Sequence, residues 1–243
     1  MTDSNVVGIN ITWPSDSVVP SRKCESAVIR VLHRKGEWGR GRDLPQTRID
    51  QIKACCVANS MTLYQALSLR RTLLRSFPNG MKRVTHSSRM GTPQGQNQVS
   101  TLFEDAVVAF VSSACSLSLP NVPRKKIFLT ESDQLNEMKN GKMARGPTPD
   151  ILFVRPIGIN GRLVKWIDAK LYYASVTFAN HKKLPNGKLR KMAQRYNTYF
   201  GGEGAFVFGQ SYCAGLSQVV TEAMLLDHSP LDLSAVNEFQ DNS

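Results

Sequence analysis

The sequence predicts an α/β fold with a mixed sheet, preceded by an N-terminal helical region, and three observations lead there. Apolar residues between 21 and 78 recur at helical spacing. Beyond residue 97 the order reads helix, strand, hairpin, helix, strand. Between two apolar runs stands Gly158-Ile159-Asn160-Gly161, a strong hairpin signal.

Taken in order, residues 1–21 read as an irregular leader. From Ser21, the residues Ala27, Val28, Val31 and Leu32 share one helical face that ends near Gly36, and a second helix covers Thr47 to Ala58. A third opens with Ser60 as N-cap and runs through Leu63, Ala66, Leu67, Leu69, Leu73 and Leu74 to Pro78-Asn79-Gly80. Arg70, Arg71 and Arg75 lie beside its apolar stripe, so 22–80 forms a basic helical region. Residues 81–96, polar and rich in Gly and Ser, read as a linker. Val99 to Leu117 is a helix with Leu102, Phe103, Ala106, Val107, Phe110 and Val111 apolar. Lys126 to Leu129 is a short strand, and Thr130 with Asp133 makes a capping box over Glu131 to Met138. Ile151–Pro156 and Leu163–Ala169 are the hairpin strands. Residues 171–186 are irregular and basic, and Gly187 to Phe200 is a helix stopped by Gly201-Gly202. Ala205 to Gly209 is an apolar strand, and Leu216 to Leu226 adds a helix. The α/β domain therefore spans 97–226, and 227–243 is an acidic, flexible tail.

Composition narrows the function. The chain has 243 residues, 41% of them hydrophobic, enough for a real core. No run of 18 or more consecutive apolar residues occurs, so no membrane span is expected, and the start lacks a secretory pattern. Five cysteines, odd in number and without CxxC spacing, fit reduced thiols better than a disulfide framework or a zinc knuckle. The expected location is the nucleus, the cytoplasm or both, not the exterior. Thirty-one Lys plus Arg against nineteen Asp plus Glu give a net charge of +12. Residues 22–95 hold 15 basic and 4 acidic side chains, 149–220 hold 10 and 3, and 221–243 hold five acids and no base. Two such blocks point to a nucleic acid partner, held through phosphate contacts that release counterions.

The chemistry concentrates at Pro149-Asp150 and Asp168-Ala169-Lys170. Side chains alternate along a strand, so Asp168 and Lys170 share a face. If Gly158 to Gly161 forms the loop, Ile157 faces Arg162 and Asp150 falls opposite Ala169, one position from Asp168. Two carboxylates and an ammonium then converge at one end of the hairpin. Magnesium takes carboxylate oxygens while keeping waters for substrate phosphates, and a bound ion polarises the phosphoryl group and acidifies water. A lysine beside it stabilises charge growing on phosphate. The competing reading has Asp150 capping a loop and Asp168 with Lys170 as an exposed ion pair. The tripeptide Glu137-Met138-Lys139 shows how little an acid-x-Lys spacing means alone.

This order of helix, strand, Pro-Asp, Asp-x-Lys, helix and strand resembles the PD-(D/E)xK nuclease superfamily, whose core is αβββαβ. More narrowly, Gly146-Pro147-Thr148-Pro149-Asp150-Ile151-Leu152, Val164 through Lys170, and Tyr199-Phe200-Gly201 are similar to the TPD-motif nucleases. The resemblance implies a Mg2+- or Mn2+-dependent nuclease, DNA favoured as substrate and branched or structured forms included. It implies Glu104, Asp150, Asp168 and Lys170 as the catalytic set. Asp150, Asp168, Glu104 and the main chain of Ala169 would hold the metal, and Asp105 competes with Glu104. It also implies a codanin-like protein partner. Lys182 and Lys183 in the loop, and Lys191, Gln194, Arg195 and Tyr196 on the helix, would meet nucleic acid. One departure stands out: Met192 occupies the position where related nucleases carry glutamine, four residues before Tyr196. An inactive nucleic-acid-binding or scaffold protein on the same fold is the alternative, and the residues leave RNA open as well as DNA.

Overall fold

The run Gly-Ala-Phe-Val-Phe at 204–208 is buried at every position, which a strand achieves when both faces of its sheet are covered. In this computed structural model it is one of six strands, and residues 8–16, 19–32, 46–76, 93–178 and 185–241 are described. Lys182 and Lys183, and the part of the expected linker before residue 93, lie outside them. The strands are β1 (Asn10–Ile11), β2 (Phe128–Thr130), β3 (Ile151–Ile159), β4 (Arg162–Lys170), β5 (Gly204–Phe208) and β6 (Ala223–Asp227). The helices are α1 (Arg22–Leu32), α2 (Gln46–Ala58), α3 (Leu63–Ser76), α4 (Pro93–Ser118), α5 (Arg124–Ile127), α6 (Glu131–Lys139), α7 (Pro185–Phe200) and α8 (Ser234–Asp241). The sheet is mixed, in the order β1-β3-β4-β5-β6, with β2 pairing β3 as well. Strands β2, β3 and β4 are antiparallel neighbours, whereas β4, β5 and β6 run parallel.

Each face has its own helix. On α4, Val99, Phe103, Val107, Val111 and Cys115 recur every fourth residue and pack with Ile151, Phe153, Ile167, Ala169, Ala205 and Val207. On α7, Leu189, Ala193 and Tyr196 pack with Leu152, Trp166, Phe206 and Phe208. Trp166 is fully buried between Tyr196 and Phe206, and its Nε1 donates to Asn197 Oδ1 at 2.9 Å. A third cluster joins α1, α2 and α3 through Val28, Leu32, Ile52, Ala66 and Leu69, and seats them on Tyr173, Val176 and Phe178 just past β4. Glu25 of α1 is fully buried there. It accepts hydrogen bonds from Tyr173 Oη (3.2 Å), Ser175 Oγ (2.8 Å), Val176 N (3.3 Å), Thr177 N (3.1 Å) and Thr177 Oγ1 (2.5 Å).

Several boundaries differ from the sequence reading. The leader is not irregular throughout: Ile9, Ile11 and Trp13 alternate into the core, and β1 pairs with the end of β3. The cap of α3 is Thr62, not Ser60. Thr62 Oγ1 accepts from Gln65 N and Gln65 Oε1 accepts from Thr62 N, a reciprocal box, while Ser60 sits in a turn at φ +51°. Helix α4 begins at Pro93, inside the expected linker. The expected helix over 216–226 is a short 3-10 turn followed by β6: its Ala, Met and Leu favour helix, but the slot beside β5 overrides that preference. The expected flexible tail carries α8, whose Val236 is buried and which packs on α4. Residues Asn97–Ser118 are long and apolar enough to cross a membrane by length and composition, at a mean hydropathy of 1.3, contrary to the expectation that no segment would be. In the fold this segment supplies the buried stripe of α4.

The hairpin is where the backbone departs most from a simple count. Its loop is two residues, Asn160 (φ +47°) and Gly161 (φ +78°), the left-handed pair of a type I′ turn. Near the turn Ile157 pairs with Val164, but beyond it Leu152 pairs with Trp166 and Ile151 with Ile167. Phe153 to Pro156 on β3 are matched by Lys165 alone on β4, a wide bulge in which Pro156, lacking an N–H, is at home. Lys165 Nζ closes it by donating to the Val154 carbonyl at 2.8 Å. Alternation along β4 changes phase here. Val164, Ile167 and Ala169 all face α4, so Trp166, Asp168 and Lys170 face α7.

Candidate active site

The register past the bulge, carried one residue beyond Ile151–Ile167, sets Asp150 beside Asp168 rather than opposite Ala169. The Ala169 N–H donates to Asp150 Oδ2 at 2.5 Å, fixing that carboxylate across the hairpin. Asp168 is 4% exposed and forms an ion pair with Lys170 Nζ two residues on. Both ends of the expected trio thus meet on one face. Burial, and then the charge of Asp168, push the Asp150 carboxyl up to about 8. Burial likewise raises Asp168, against the lowering pull of Lys170.

Glu104, on the second turn of the buried stretch of α4, is half-buried, and Asp105 is exposed. The Glu104 carboxyl is raised by burial, by the charge of Glu131 and by that of Asp168, while Lys170 lowers it. Its charge is therefore felt within the same acidic group. Glu131, which opens α6, is an acid that sequence reasoning passed over. Its Oε1 accepts from Thr148 Oγ1 at 2.8 Å, and its charge acts on Glu104, Asp168 and Tyr196. The only signal available was that β2, which leads into Glu131, must pair next to Asp150.

A cleft of about 500 Å³ opens on this face between the loop Gly146-Pro147-Thr148 and α7, where Lys188, Lys191, Met192, Arg195 and Tyr196 line it. Burial raises the Tyr196 phenol well above its usual range, and the charges of Asp168 and Asp150 add to the effect, so the cleft borders the acids. Lys191, Arg195 and Tyr196, expected to meet nucleic acid, line the cleft. Gln194 does not: its Nε2 donates to Glu222 Oε1 at 2.9 Å, beside the Arg190–Glu222 ion pair. Lys188 was missed, although its spacing of three from Lys191 and seven from Arg195 puts all three cations on one helical stripe. The opposite wall is held by Tyr199, whose hydroxyl donates to the carbonyls of Ala144 (2.9 Å) and Arg145 (3.2 Å). A side chain larger than hydrogen at Gly146 would run into that ring.

Two carboxylates side by side, one buried and one part-buried, sharing a single ammonium on Asp168 and a single main-chain N–H on Asp150, are a poor arrangement without a further cation. The donors are all oxygen, which suits a hard divalent ion. Among the described residues no three His, Cys, Asp or Glu side chains group closely enough to cage an ion alone. Magnesium, which takes one or two carboxylates and keeps its waters, does not ask for such a cage.

Fold and site together define an α/β protein with a partly sequestered acidic pair and a lysine beside a basic cleft. The chain belongs to the TPD sequence-motif family, described as of unknown function, whose profile matches residues 90–229. Thr148-Pro149-Asp150 spells the motif. No curated protein and no solved structure matches the chain.

Proposed function

We propose that the protein is a divalent-metal-dependent nuclease of the PD-(D/E)xK type that hydrolyses phosphodiester bonds of DNA, structured or branched DNA included. The observation that carries the reading is the convergence of Asp150, Asp168 and Lys170 on the face that α7 lines with Lys188, Lys191 and Arg195. The succession α4, β2, β3, β4, α7, β5 supports it, since it follows αβββαβ with α5 and α6 inserted. Asp150, Asp168 and the main chain of Ala169 would hold Mg2+ or Mn2+, with Glu104 toward its waters. That ion would polarise the phosphate and acidify the attacking water. Ala169 N–H orients Asp150 for this task. The ammonium of Lys170 stands where negative charge builds as water attacks phosphorus and the leaving oxygen departs. The cationic stripe of α7 grips neighbouring phosphates.

A cleavage assay on plasmid, single-stranded DNA, a four-way junction and RNA, with Mg2+, Mn2+ or chelator, tests the proposal. Cleavage should need the metal and vanish in Asp168→Ala and Lys170→Ala while binding persists. Binding of DNA without cleavage of any substrate under either metal would instead establish a nuclease fold that has lost turnover. Met192, which lines the cleft where related nucleases carry glutamine, favours that second reading.

A further inference from the structure

The loop that carries Asp150 is held from one side by a helix to which neither the family motif nor the catalytic set assigns a part. Helix α6 starts where β2 ends, and β2 pairs with β3 so that Thr130 lies opposite Ile151, the residue after Asp150. The start of α6 is fixed. Thr130 and Asp133 cap it reciprocally, and Asp133 is ion-paired with Arg124 (2.7 Å) and Lys125 (2.9 Å). From this anchored turn, two side chains three residues apart reach the residues before Asp150. Glu131 Oε1 accepts from Thr148 Oγ1 at 2.8 Å, and Gln134 Nε2 donates to the Pro149 carbonyl at 2.8 Å.

Gln134 is the more telling of the two. It is fully buried, and its Nε2 also reaches the Leu129 carbonyl at 3.4 Å. Both partners are carbonyl oxygens, so the amide nitrogen and not the oxygen must face them. Its Oε1 is buried and accepts nothing among the described residues. A buried amide with one end satisfied and the other not gains little net stability, because the unpaired oxygen offsets the bond made by the nitrogen. The donor end has a use: the carbonyl it holds belongs to the peptide joining Pro149 to Asp150.

We infer that Gln134, assisted by Glu131, is a positioning residue that sets the Pro149–Asp150 peptide so that the Asp150 carboxylate meets the Ala169 N–H and faces Asp168. Its consequence for catalysis rests on the nuclease reading; its consequence for geometry does not. Outer partners of this kind orient the groups that meet the metal, and losing one typically costs about 10–100-fold in metal affinity or activity.

The test uses the full chain with 15N-labelled alanine, so that the Ala169 amide reports its short bond to Asp150. Gln134→Met keeps the volume and removes the donor. The Ala169 amide proton should move upfield and exchange at least ~10-fold faster, and Mn2+ affinity by calorimetry should fall ~10–100-fold, beyond whatever lowering of the melting temperature follows from the Pro149 carbonyl losing its donor. Thr148→Val, on the part-exposed contact, should shift the same resonance less and serves as the second variant if Gln134→Met folds poorly. A purely structural role predicts a lower melting temperature with the Ala169 resonance unmoved in the folded protein, and that result overturns the inference. If the wild-type chain neither binds Mn2+ nor cleaves DNA, the nuclease reading falls, and the Ala169 amide alone still decides whether Gln134 positions Asp150.

Discussion

Two groups of carboxylates among the described residues are partnered in opposite ways. Glu25 is surrounded by five donors and closes the seam between the N-terminal helices and the segment after β4. Asp168, buried, and Asp150, part-buried, lie beside each other with one main-chain N–H and one ammonium between them. A carboxylate whose lone pairs are all taken is a fastener, with no capacity left for a ligand. A pair left short of donors and pressed together retains that capacity at the expense of stability. The distinction between a seam and a site lies in how the charge is partnered, not in burial.

Substitution should separate the two regions most sharply. Glu25→Ala strands several buried donors, each costing about 1–3 kcal/mol when left unpaired, and should lower stability by about 3–5 kcal/mol in denaturant unfolding. Asp168→Asn, which keeps the shape and relieves the repulsion between the two carboxylates, should leave the fold near its original stability and cut cleavage by at least ~10²-fold. Equal losses of stability in both variants would erase the contrast. The next effect concerns pH. Asp150, held near pKa 8 in the folded chain against about 3.9 unfolded, binds its proton more tightly when folded. Its contribution is fully present below the unfolded value and is lost as pH rises through about 8. Without metal, the melting temperature should therefore decline from pH 5 to pH 8, less so in Asp150→Asn. Added Mg2+ should raise it in wild type and not in that variant. A flat profile in both proteins would contradict the assignment.

The cleft offers a gentler comparison. Removing Lys188, Lys191 or Arg195 should each weaken DNA binding across sequences and lower the salt dependence by about one unit of slope. Gln194→Ala, whose side chain is committed to Glu222, should change neither. The smallest effect is expected at the wall of the cleft: Tyr199→Phe loses the contacts to Ala144 and Arg145, about 1 kcal/mol of stability.

The sequence was most legible where chemistry and local structure coincide. Thr130 and Asp133 announced their capping box, the four-residue periodicity of Val99 to Cys115 announced α4, and an acid-x-Lys at the end of an apolar strand announced side chains that group with Asp150. It was least legible where tertiary partners decide. Ala223-Met224-Leu225-Leu226 has helical taste and becomes a strand because β5 offers a parallel edge. Ile9, Ile11 and Trp13 alternate visibly, yet so short a segment is a strand only because β3 receives it. Gln134 looks like any polar residue on a short helix until Pro149 is seen beside it. The hairpin count placed Asp150 close to Asp168 by an incorrect route. It assumed a longer loop and no bulge, and the two departures nearly offset each other. Pro156 inside the strand was the available warning.

The bulge at Lys165 carries a final implication. Were β4 to keep the rhythm set by Val164, Asp168 and Lys170 would be turned into the greasy layer under α4, and Ile167 and Ala169 would look out on the cleft instead. Asp150 would then stand alone on its side of the sheet. The grouping of Asp150, Asp168 and Lys170 is thus a matter of backbone phase as much as of residue choice: trimming the irregular stretch to a regular ladder would dismantle it with every charged side chain still in the chain.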